Sequence, residues 1–378
     1  MSPRHELDLA RRGQGFPPSS RSGRIVGLRT APGNFRLSPA EKFVAGIDLG
    51  GTAVNYTFLD ERGQFLIEGL CEHPARSVEG PTVCLGQIAD GLAHAASRAG
   101  VSLTALTAVG LDTPGPASAT GILSRRGSTN FVHPEWAGFD IRAGLEQRLG
   151  LPVTYLNDGN AAALWGHVSI FGSENQATSV SAIIGTGLGG GVITSGRVVT
   201  GRNGFGGELG HVLIPYQTIP GIEGLVPRCN CGRTGDLESL CSLTAIRQTL
   251  LPHFLSQHDG HPLASEADIA TAAKRVRGLA EQGDEMCRDI FRVQARALGL
   301  FFDEMINVFD PDALIVGGGA IEADEDFRTW FIQEIRAGMP NQRDEQAELP
   351  IRVIPGGDSA GARGAALDAA RLVRERGL

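Results

Sequence analysis

Two glycine-rich turns stand out because each follows an apolar run that is typical of a buried strand. Asp48-Leu49-Gly50-Gly51-Thr52 follows residues 43–47, and Gly185-Thr186-Gly187 follows residues 180–184. Glycine lets backbone N–H groups approach phosphate closely, and the Thr52 hydroxyl adds a donor. The carboxylate of Asp48 is suited to hold Mg²⁺, directly or through water. A tight turn would explain either segment alone, but their recurrence favours two facing phosphate loops.

Asp158 stands where a predicted strand, residues 153–156, meets a predicted helix, residues 160–171. A carboxylate at this position can take the proton from an attacking hydroxyl during phosphoryl transfer. An Asp at the start of a helix is also a good N-cap. Position alone does not separate the two roles.

A third group of residues has the composition of a metal site. His211 is followed by Cys229 and Cys231, and an imidazole with two closely spaced thiolates suits Zn²⁺. Two downstream residues, Asp236 and Cys241, can each supply a fourth ligand. The alternative is a hydrogen-bonded His211 beside two free thiols, and the ligand types favour zinc.

The elements that must position these residues form a repeated unit, since each glycine-rich turn follows a strand and opens a hairpin. A duplicated unit predicts two similar α/β domains that face each other across a cleft. The predicted strands are residues 43–47, 53–59, 64–70, 106–111, 153–156, 180–184, 192–194, 313–316 and 351–354. The predicted helices are residues 83–99, 141–149, 160–171, 290–308 and 361–374. We expect the last helix to cross back to the first domain.

The composition predicts a globular protein without a nucleic-acid or membrane surface. Of 378 residues, 42% are apolar and 20% are charged, and the formal net charge is -8. An acidic chain offers no basic field to attract nucleic acid. No apolar run approaches the roughly 20 residues of a bilayer span. The six cysteines form no disulfide framework, which predicts a reducing, cytoplasmic location.

Residues 1–42 differ from the rest of the chain. They contain eight Lys or Arg against three acidic residues, with frequent Pro, Gly and Ser and no apolar periodicity. We predict a disordered extension. A secretory signal would need a continuous apolar core, and a helix-turn-helix domain would need about three amphipathic helices.

Five motifs, in order, resemble the ROK family of sugar kinases and related repressors, from about residue 43 to the C-terminus. They are GIDLGGT (46–52), TPGP (113–116), LPVTYLNDGNAAALWG (151–166), IGTGLGGGVI with GGELGH (184–193 and 206–211) and CNCGRTGDLE (229–238). The resemblance implies the α/β, two-domain actin-like ATPase (ribonuclease H-like) fold with a ligand cleft between the domains. We place the smaller domain at residues 43–157, completed by a helix over 361–378, and the larger one at residues 158–360.

The resemblance also implies roles for the matched residues. Asp158 corresponds to the base that takes the proton from the sugar's primary hydroxyl, and it is also counted among the sugar contacts. The other implied sugar contacts are Asn130, Asn157, Glu208, His211 and Glu238. The implied contacts to ATP and Mg²⁺ are Asp48, Gly50, Gly51, Thr52, Gly185, Thr186, Gly187, Gly317, Gly318 and Gly319. The implied ligands of a structural zinc are His211, Cys229, Cys231 and Asp236, and dimers are common in this family.

Three features depart from the family pattern. Asp236 replaces the third zinc cysteine, and its oxygen is a harder ligand than a thiolate. The span between His211 and Cys229 is longer than usual, which predicts an inserted loop near the sugar site. Ala53 stands where a Lys often follows Gly-Gly-Thr, and this removes a positive group near the phosphates.

These features predict an ATP-dependent hexose kinase, and specifically a glucokinase that phosphorylates the 6-hydroxyl of its sugar. An N-acetylhexosamine kinase or a fructokinase is the alternative among enzymes, because the sugar contacts overlap. A sugar-responsive transcriptional repressor is the alternative of another class. It requires a DNA-binding domain that residues 1–42 do not supply, and the presence of Asp158 favours catalysis.

Overall fold

The computed structural model describes residues 41–125, 130–340, 343–354 and 357–378, which belong to one compact unit. The predicted disordered extension over residues 1–42 lies outside the described residues, apart from its last two. Within the described ranges, no helix combines the length and the apolar character that a bilayer span requires.

Five strands form the first sheet: β1 (Phe43–Leu49), β2 (Ala53–Asp60), β3 (Glu72–Pro74), β4 (Leu106–Thr113) and β5 (Val153–Asn157). Their spatial order is β3-β2-β1-β4-β5, with β1, β4 and β5 parallel and β2 antiparallel to β1. β1 is buried along nearly its whole length because helices cover both faces of the sheet, which explains its continuous apolar run.

Five further strands form the second sheet: β6 (Ser179–Ile184), β7 (Leu188–Thr194), β8 (Arg197–Val198), β9 (Ala313–Gly317) and β10 (Ile351–Val353). Their order is β10-β9-β6-β7-β8, with a hairpin on one side of β6 and parallel strands on the other. The second sheet therefore repeats around β6 the arrangement of strands that the first sheet has around β1. The predicted duplication is therefore confirmed, and each glycine-rich turn lies at the end of a central strand.

The helices of the described chain are α1 (Pro81–Ala99), α2 (Ile141–Leu149), α3 (Asp158–Phe171), α4 (Leu243–Ala245), α5 (Leu251–Leu255), α6 (Ile269–Glu281), α7 (Glu285–Phe309), α8 (Glu325–Ala337) and α9 (Ala360–Arg376). A π-helical turn, Ile246–Leu250, joins α4 to α5. α1 and α2 enclose the core of the first sheet, and α6, α7 and α8 enclose that of the second.

Two helices connect the sheets. α9 packs across β1 and β4 of the first sheet and against α3, and α3 packs in turn against β6 and β7 of the second sheet. The two helices approach so closely that a Cβ on Gly364 would overlap the carbonyl oxygen of Ala161. Glycine at this position therefore permits the backbone contact that joins the two halves.

The prediction of a strand over residues 64–70 is wrong. Only Phe65 of this segment forms a bridge, to Leu59, and the third strand is β3 instead. The hairpin turn itself is confirmed, since the Asp60 carboxylate accepts the N–H groups of Arg62 and Gln64. Regular pairing is absent over residues 67–70 and resumes at β3, next to which the Asn55 Oδ1 accepts the Cys71 N–H at 2.9 Å and the Cys71 carbonyl accepts the Tyr56 N–H at 3.2 Å.

Candidate active site

Asp158 is the first residue of α3, directly after the last residue of β5. The N-cap of this helix is Asn157, whose Oδ1 accepts the Gly159 N–H at 2.9 Å. The Asp158 Oδ1 accepts the same N–H at 2.7 Å. Because Asn157 already caps the helix, a capping role does not account for the carboxylate at position 158.

The surroundings of Asp158 make its carboxyl unusually basic. Burial among protein atoms, opposed by the Gly159 N–H, and the negative charges of Asp48 and Glu208 raise the pKa of Asp158 to about 7. The side chain nevertheless reaches solvent, as expected for a group on the wall of an open cleft. Its charged neighbours come from both halves of the protein, so Asp158 lies between the first glycine-rich turn and the second sheet.

The two glycine-rich turns are closed by short backbone hydrogen bonds. Gly50 donates to the carbonyl of Ala53 and Gly185 donates to the carbonyl of Gly187, both at 2.9 Å. Thr52 and Thr186 are exposed and Asp48 is half-buried. Each turn thus leaves a threonine hydroxyl at the surface beside the end of a central strand.

Asn130 and Asn157 lie beside glycines that leave room for their side chains. A Cβ on Gly51 would lie 2.6 Å from the Asn130 Oδ1. A Cβ on Gly115 would lie 3.1 Å from the Asn157 Nδ2 and 3.5 Å from the Glu208 Oε1. Asn130 therefore adjoins the first turn, and Asn157 and Glu208 meet at Gly115.

The remaining predicted sugar contacts converge from the second half. Burial, opposed by His211, and the charge of Glu238 raise the pKa of Glu208. Glu238 accepts the Leu188 N–H at 2.9 Å, and its Oε2 lies 2.6 Å from the place of a Cβ on Gly187. The structure thus brings Asp158, Glu208, His211 and Glu238 into one electrostatically coupled group.

Asp112, which the sequence reasoning missed, is a further acidic residue at this site. It lies in β4 opposite Asp48 of β1 and is fully buried. Neither of its carboxyl oxygens has a hydrogen-bond partner among the described residues. Burial, followed by the charges of Asp48 and Asp158, raises the pKa of Asp112 well above its ordinary value. Asp112 is therefore a carboxyl group whose neutral form is favoured over its charged form by the fold.

Sequence alone offered one signal for Asp112, namely an acidic residue at the end of a predicted strand and directly before the TPGP motif. Both carboxyl groups face the first turn of α9. A Cβ on Gly361 would lie 2.9 Å from the Asp48 Oδ2 and 3.2 Å from the Asp112 Oδ1. The positive end of a helix dipole therefore adjoins the pair.

Four potential metal ligands lie together at the edge of the second sheet. The donor atoms of His211, Cys229, Cys231 and Asp236 are all within 4.8 Å of one another. Cys241 is not among them, since its thiol donates to the carbonyl of Gln294 in the core. The structure therefore favours Asp236 over Cys241 as the fourth member of the cluster.

The inserted loop between His211 and Cys229 packs into the protein. Its isoleucines at 214, 219 and 222 are buried in the core of the second half. The His253 Nε2 contacts the carbonyl of Gly221 at 2.9 Å. The loop is therefore attached along its length to the domain that carries the metal-ligand cluster.

A cavity of about 300 Å³ adjoins the second turn. Its walls include Gly185 and Thr186 of that turn and also Gly319. Gly319 ends a third glycine segment, Gly317-Gly318-Gly319, which begins with the last residue of β9. Gly318 has a φ of 90°, and a Cβ there would overlap the carbonyl of Ile184. The third segment therefore needs glycine to pass close to the end of β6, and it brings Gly319 to the cavity.

Removing the buried acid should change how stability depends on pH. The folded protein holds the proton of Asp112 more tightly than the unfolded chain, whose pKa is near 3.8. The contribution of this proton to the free energy of unfolding is complete below about pH 4. It is lost as the pH rises toward the pKa of Asp112 in the folded protein. Asp112→Asn lacks this loss, so its thermal midpoint relative to wild type should rise as the pH increases above about pH 4.

The measurement is thermal unfolding by circular dichroism without Mg²⁺. Asp259→Asn, at an exposed position, is the control and should follow the wild-type curve. Parallel curves for wild type and Asp112→Asn would contradict the raised pKa of Asp112.

Comparison with known proteins agrees with this geometry. A family model described as the ROK family matches residues 44–371. A glucokinase of Thermotoga maritima is 33% identical over 291 residues, which cover 74% of this chain and 83% of the relative. An N-acetyl-D-glucosamine kinase of Pectobacterium atrosepticum is 30% identical over 328 residues, which cover 85% of this chain and 97% of the relative.

A solved structure is also similar over almost its entire length. The crystal structure of a ROK family glucokinase from Streptomyces griseus in complex with glucose and AMPPNP has a TM-score of 0.63 and 26% identity. The match covers 87% of this chain and 99% of that chain. The chain therefore belongs to the ROK family, and it is an ATP-dependent sugar kinase with the two-domain actin-like ATPase fold.

Proposed function

We propose that this kinase transfers the γ-phosphoryl group of ATP to the 6-hydroxyl of glucose, with Asp158 as the general base. The observation that carries the proposal is the place of Asp158, whose exposed side chain begins α3 next to Asn157, which meets Glu208 at Gly115. Burial of its carboxyl and the charges of Asp48 and Glu208 raise its pKa to about 7. A base with this pKa is partly ionised at neutral pH, and it accepts a proton readily as the hydroxyl oxygen begins to bond phosphorus.

The reaction is a single displacement at phosphorus. The 6-hydroxyl oxygen bonds to the γ-phosphorus, its proton moves to Asp158, and the bond from phosphorus to the ADP oxygen breaks. The two glycine-rich turns supply backbone N–H donors for the phosphate oxygens. Asp48, half-buried and beside Asp112, has a carboxylate of the kind that holds Mg²⁺. Mg²⁺, when bound with ATP, neutralises phosphate charge.

The sugar is recognised by a set of polar groups from both halves. Asn130 and Asn157 belong to the first half, Asp158 begins α3 at the junction of the halves, and Glu208, His211 and Glu238 belong to the second half. Such a set reads a polyol by hydrogen bonds, and a sugar that lacks one hydroxyl leaves a buried group unpaired. Closing the two halves on glucose would also exclude water from the reacting phosphate.

The choice of glucose rests on the relatives named glucokinase, and the N-acetyl-D-glucosamine kinase at 30% identity supports the alternative sugar. A panel of glucose, N-acetylglucosamine, N-acetylmannosamine and fructose at fixed ATP separates these substrates. We expect glucose to give the highest kcat/KM, with glucose 6-phosphate as product. A higher kcat/KM for an N-acetylhexosamine or for fructose would contradict the glucokinase assignment.

Replacing the proposed base should affect the chemical step. Asp158→Asn should lower kcat by about 10²–10⁴-fold with a small change in the KM for the sugar, because the amide cannot accept the proton. Wild-type kcat/KM should fall below about pH 7, where Asp158 becomes protonated, and the residual activity of the variant should lack this fall.

A matched control is Asp140→Asn, because Asp140 is the N-cap of α2 and its carboxylate accepts the Ala143 N–H at 2.8 Å. This substitution makes the same chemical change at a helix start that has no proposed part in catalysis. Activity of Asp158→Asn close to that of the control would show that another group removes the proton.

We further propose that His211, Cys229, Cys231 and Asp236 bind a structural zinc ion. Bond lengths of about 2.0–2.3 Å place the ligands of a tetrahedral zinc about 3.3–3.8 Å apart. The observed separations are 3.1 Å for His211 Nδ1 to Asp236 Oδ2, 3.4 Å for Cys231 Sγ to Asp236 Oδ2 and 3.8 Å for Cys229 Sγ to His211 Nδ1. Three donor types at these distances fit the ion.

Zinc at this cluster would fix the sugar contacts. His211 belongs to both groups, and the Cys229 thiol lies 3.3 Å from the Glu238 Oε1. Burial raises the pKa of the Cys229 thiol, so a bound cation is needed to hold it as thiolate at neutral pH. The ion would therefore fix His211, one of the proposed sugar contacts, before the sugar arrives.

Metal analysis tests the zinc proposal. Purified wild-type protein should contain about one zinc per chain. Asp236→Ala should lose it and bind glucose more weakly, whereas Asp236→Cys should keep it. Asp284→Asn, in the separate group of His261, Asp284 and Cys287, is the control and should keep the zinc of the wild type. Zinc-free protein with full sugar affinity would refute the proposal.

Two broader expectations accompany the proposed activity. All six cysteines are free in the structure, which supports a reducing, cytoplasmic location where thiols persist. The homodimer implied by the family resemblance, the domain boundaries at residues 157 and 360 and the absence of nucleic-acid binding stay predictions.

A further inference from the structure

The cavity beside the second glycine-rich turn contains a polar group that the proposed mechanism does not use. Gln294 of α7 lines the cavity and is fully buried. Its Oε1 has no hydrogen-bond partner among the residues that the structure describes. An unpaired acceptor in a buried side chain costs free energy unless a ligand or water supplies a donor.

The orientation of this carboxamide is fixed. The Gln294 Nε2 donates to the carbonyls of Leu240 and Ser242, at 3.1 and 3.2 Å. Rotating the amide by half a turn would place its oxygen against two carbonyl oxygens and lose both bonds. The group therefore presents an acceptor, and never a donor, on its free side.

The rest of the cavity has the character of a nucleoside site. Ile246, Ala273 and Phe291 supply apolar walls of the kind that enclose a planar base. The N–H groups of Leu243 and Thr244 bind the carbonyls of Gly185 and Thr186, at 2.9 and 3.1 Å. These bonds join the segment held by Gln294 to the turn that we assign to phosphate, so the cavity lies next to the triphosphate.

We propose that the Gln294 Oε1 accepts a hydrogen bond from the 6-amino group of adenine and thereby selects ATP over purine nucleotides that carry oxygen at this position. The inference rests on the ATP-dependent activity and adds a specificity-determining residue to it. Guanine and hypoxanthine present a carbonyl oxygen where adenine presents N–H. An acceptor would then face the fixed acceptor of Gln294, and neither would be satisfied.

Equilibrium binding of ATP and ITP with Mg²⁺, without sugar, tests the proposal independently of which hexose is phosphorylated. Wild type should bind ATP about 10- to 100-fold more tightly than ITP, the penalty for one unsatisfied buried polar group. Gln294→Met, which has similar volume and no acceptor, should reduce this ratio to about 3-fold or less. Ile246→Val, another cavity residue, is the control and should leave the ratio unchanged.

Equal affinity of wild type for ATP and ITP would overturn the proposal, as would an unchanged ratio in folded Gln294→Met. If that variant does not fold, the test uses wild type with purine riboside triphosphate, an analogue of ATP that lacks the 6-amino group. Weaker binding of this analogue than of ATP supports the contact, and equal binding refutes it. A variant that changes only the ratio of ATP to 2′-deoxyATP would place the contact on the ribose and refute the base contact. Failure to bind any purine triphosphate would instead contradict the ATP site itself.

Discussion

Repulsion among carboxyl groups is the constraint on which the site depends. β1, β4 and β5 run parallel, so Asp48, Asp112 and Asp158 reach the same edge of the first sheet from neighbouring strands. Three negative charges cannot all persist there in a partly buried setting. Burial and the neighbouring carboxylates therefore raise the pKa of Asp112 well above its ordinary value and the pKa of Asp158 to about 7.

Repulsion among carboxyl groups also involves the second half of the protein. Glu208 and Glu238 add acidic groups opposite the first sheet, and each has a partner that controls it. His211 opposes the charge of Glu208, and the backbone of Leu188 and the thiol of Cys229 hold Glu238. A polyol donates hydrogen bonds to such a surface, which makes a neutral sugar a suitable ligand for a site rich in acceptors.

The central strands, the glycine-rich turns and the position of Asp158 between a strand and a helix could be predicted because each depends on local pattern. An apolar run followed by Gly-Gly-Thr needs no distant residue to be read as a strand and a turn. The segment 64–70 could not be predicted correctly, because its local pattern does not reveal that β2 pairs with residues 72–74 instead. Asp112 and Gln294 were missed because their importance comes from partners that they lack, and only packing in three dimensions decides that.

One of the two faces of the first sheet is covered by α9, the last helix of the chain. Residues 366 and 369 of α9 pack on Val44, Leu59 and Ala108, which belong to the earliest strands. Roughly 200 residues separate β5 from α9, and a ribosome adds about 5–20 residues per second. A nascent chain therefore exposes this apolar surface for about 10–40 s, long enough for chaperones to bind it before the kinase can assemble.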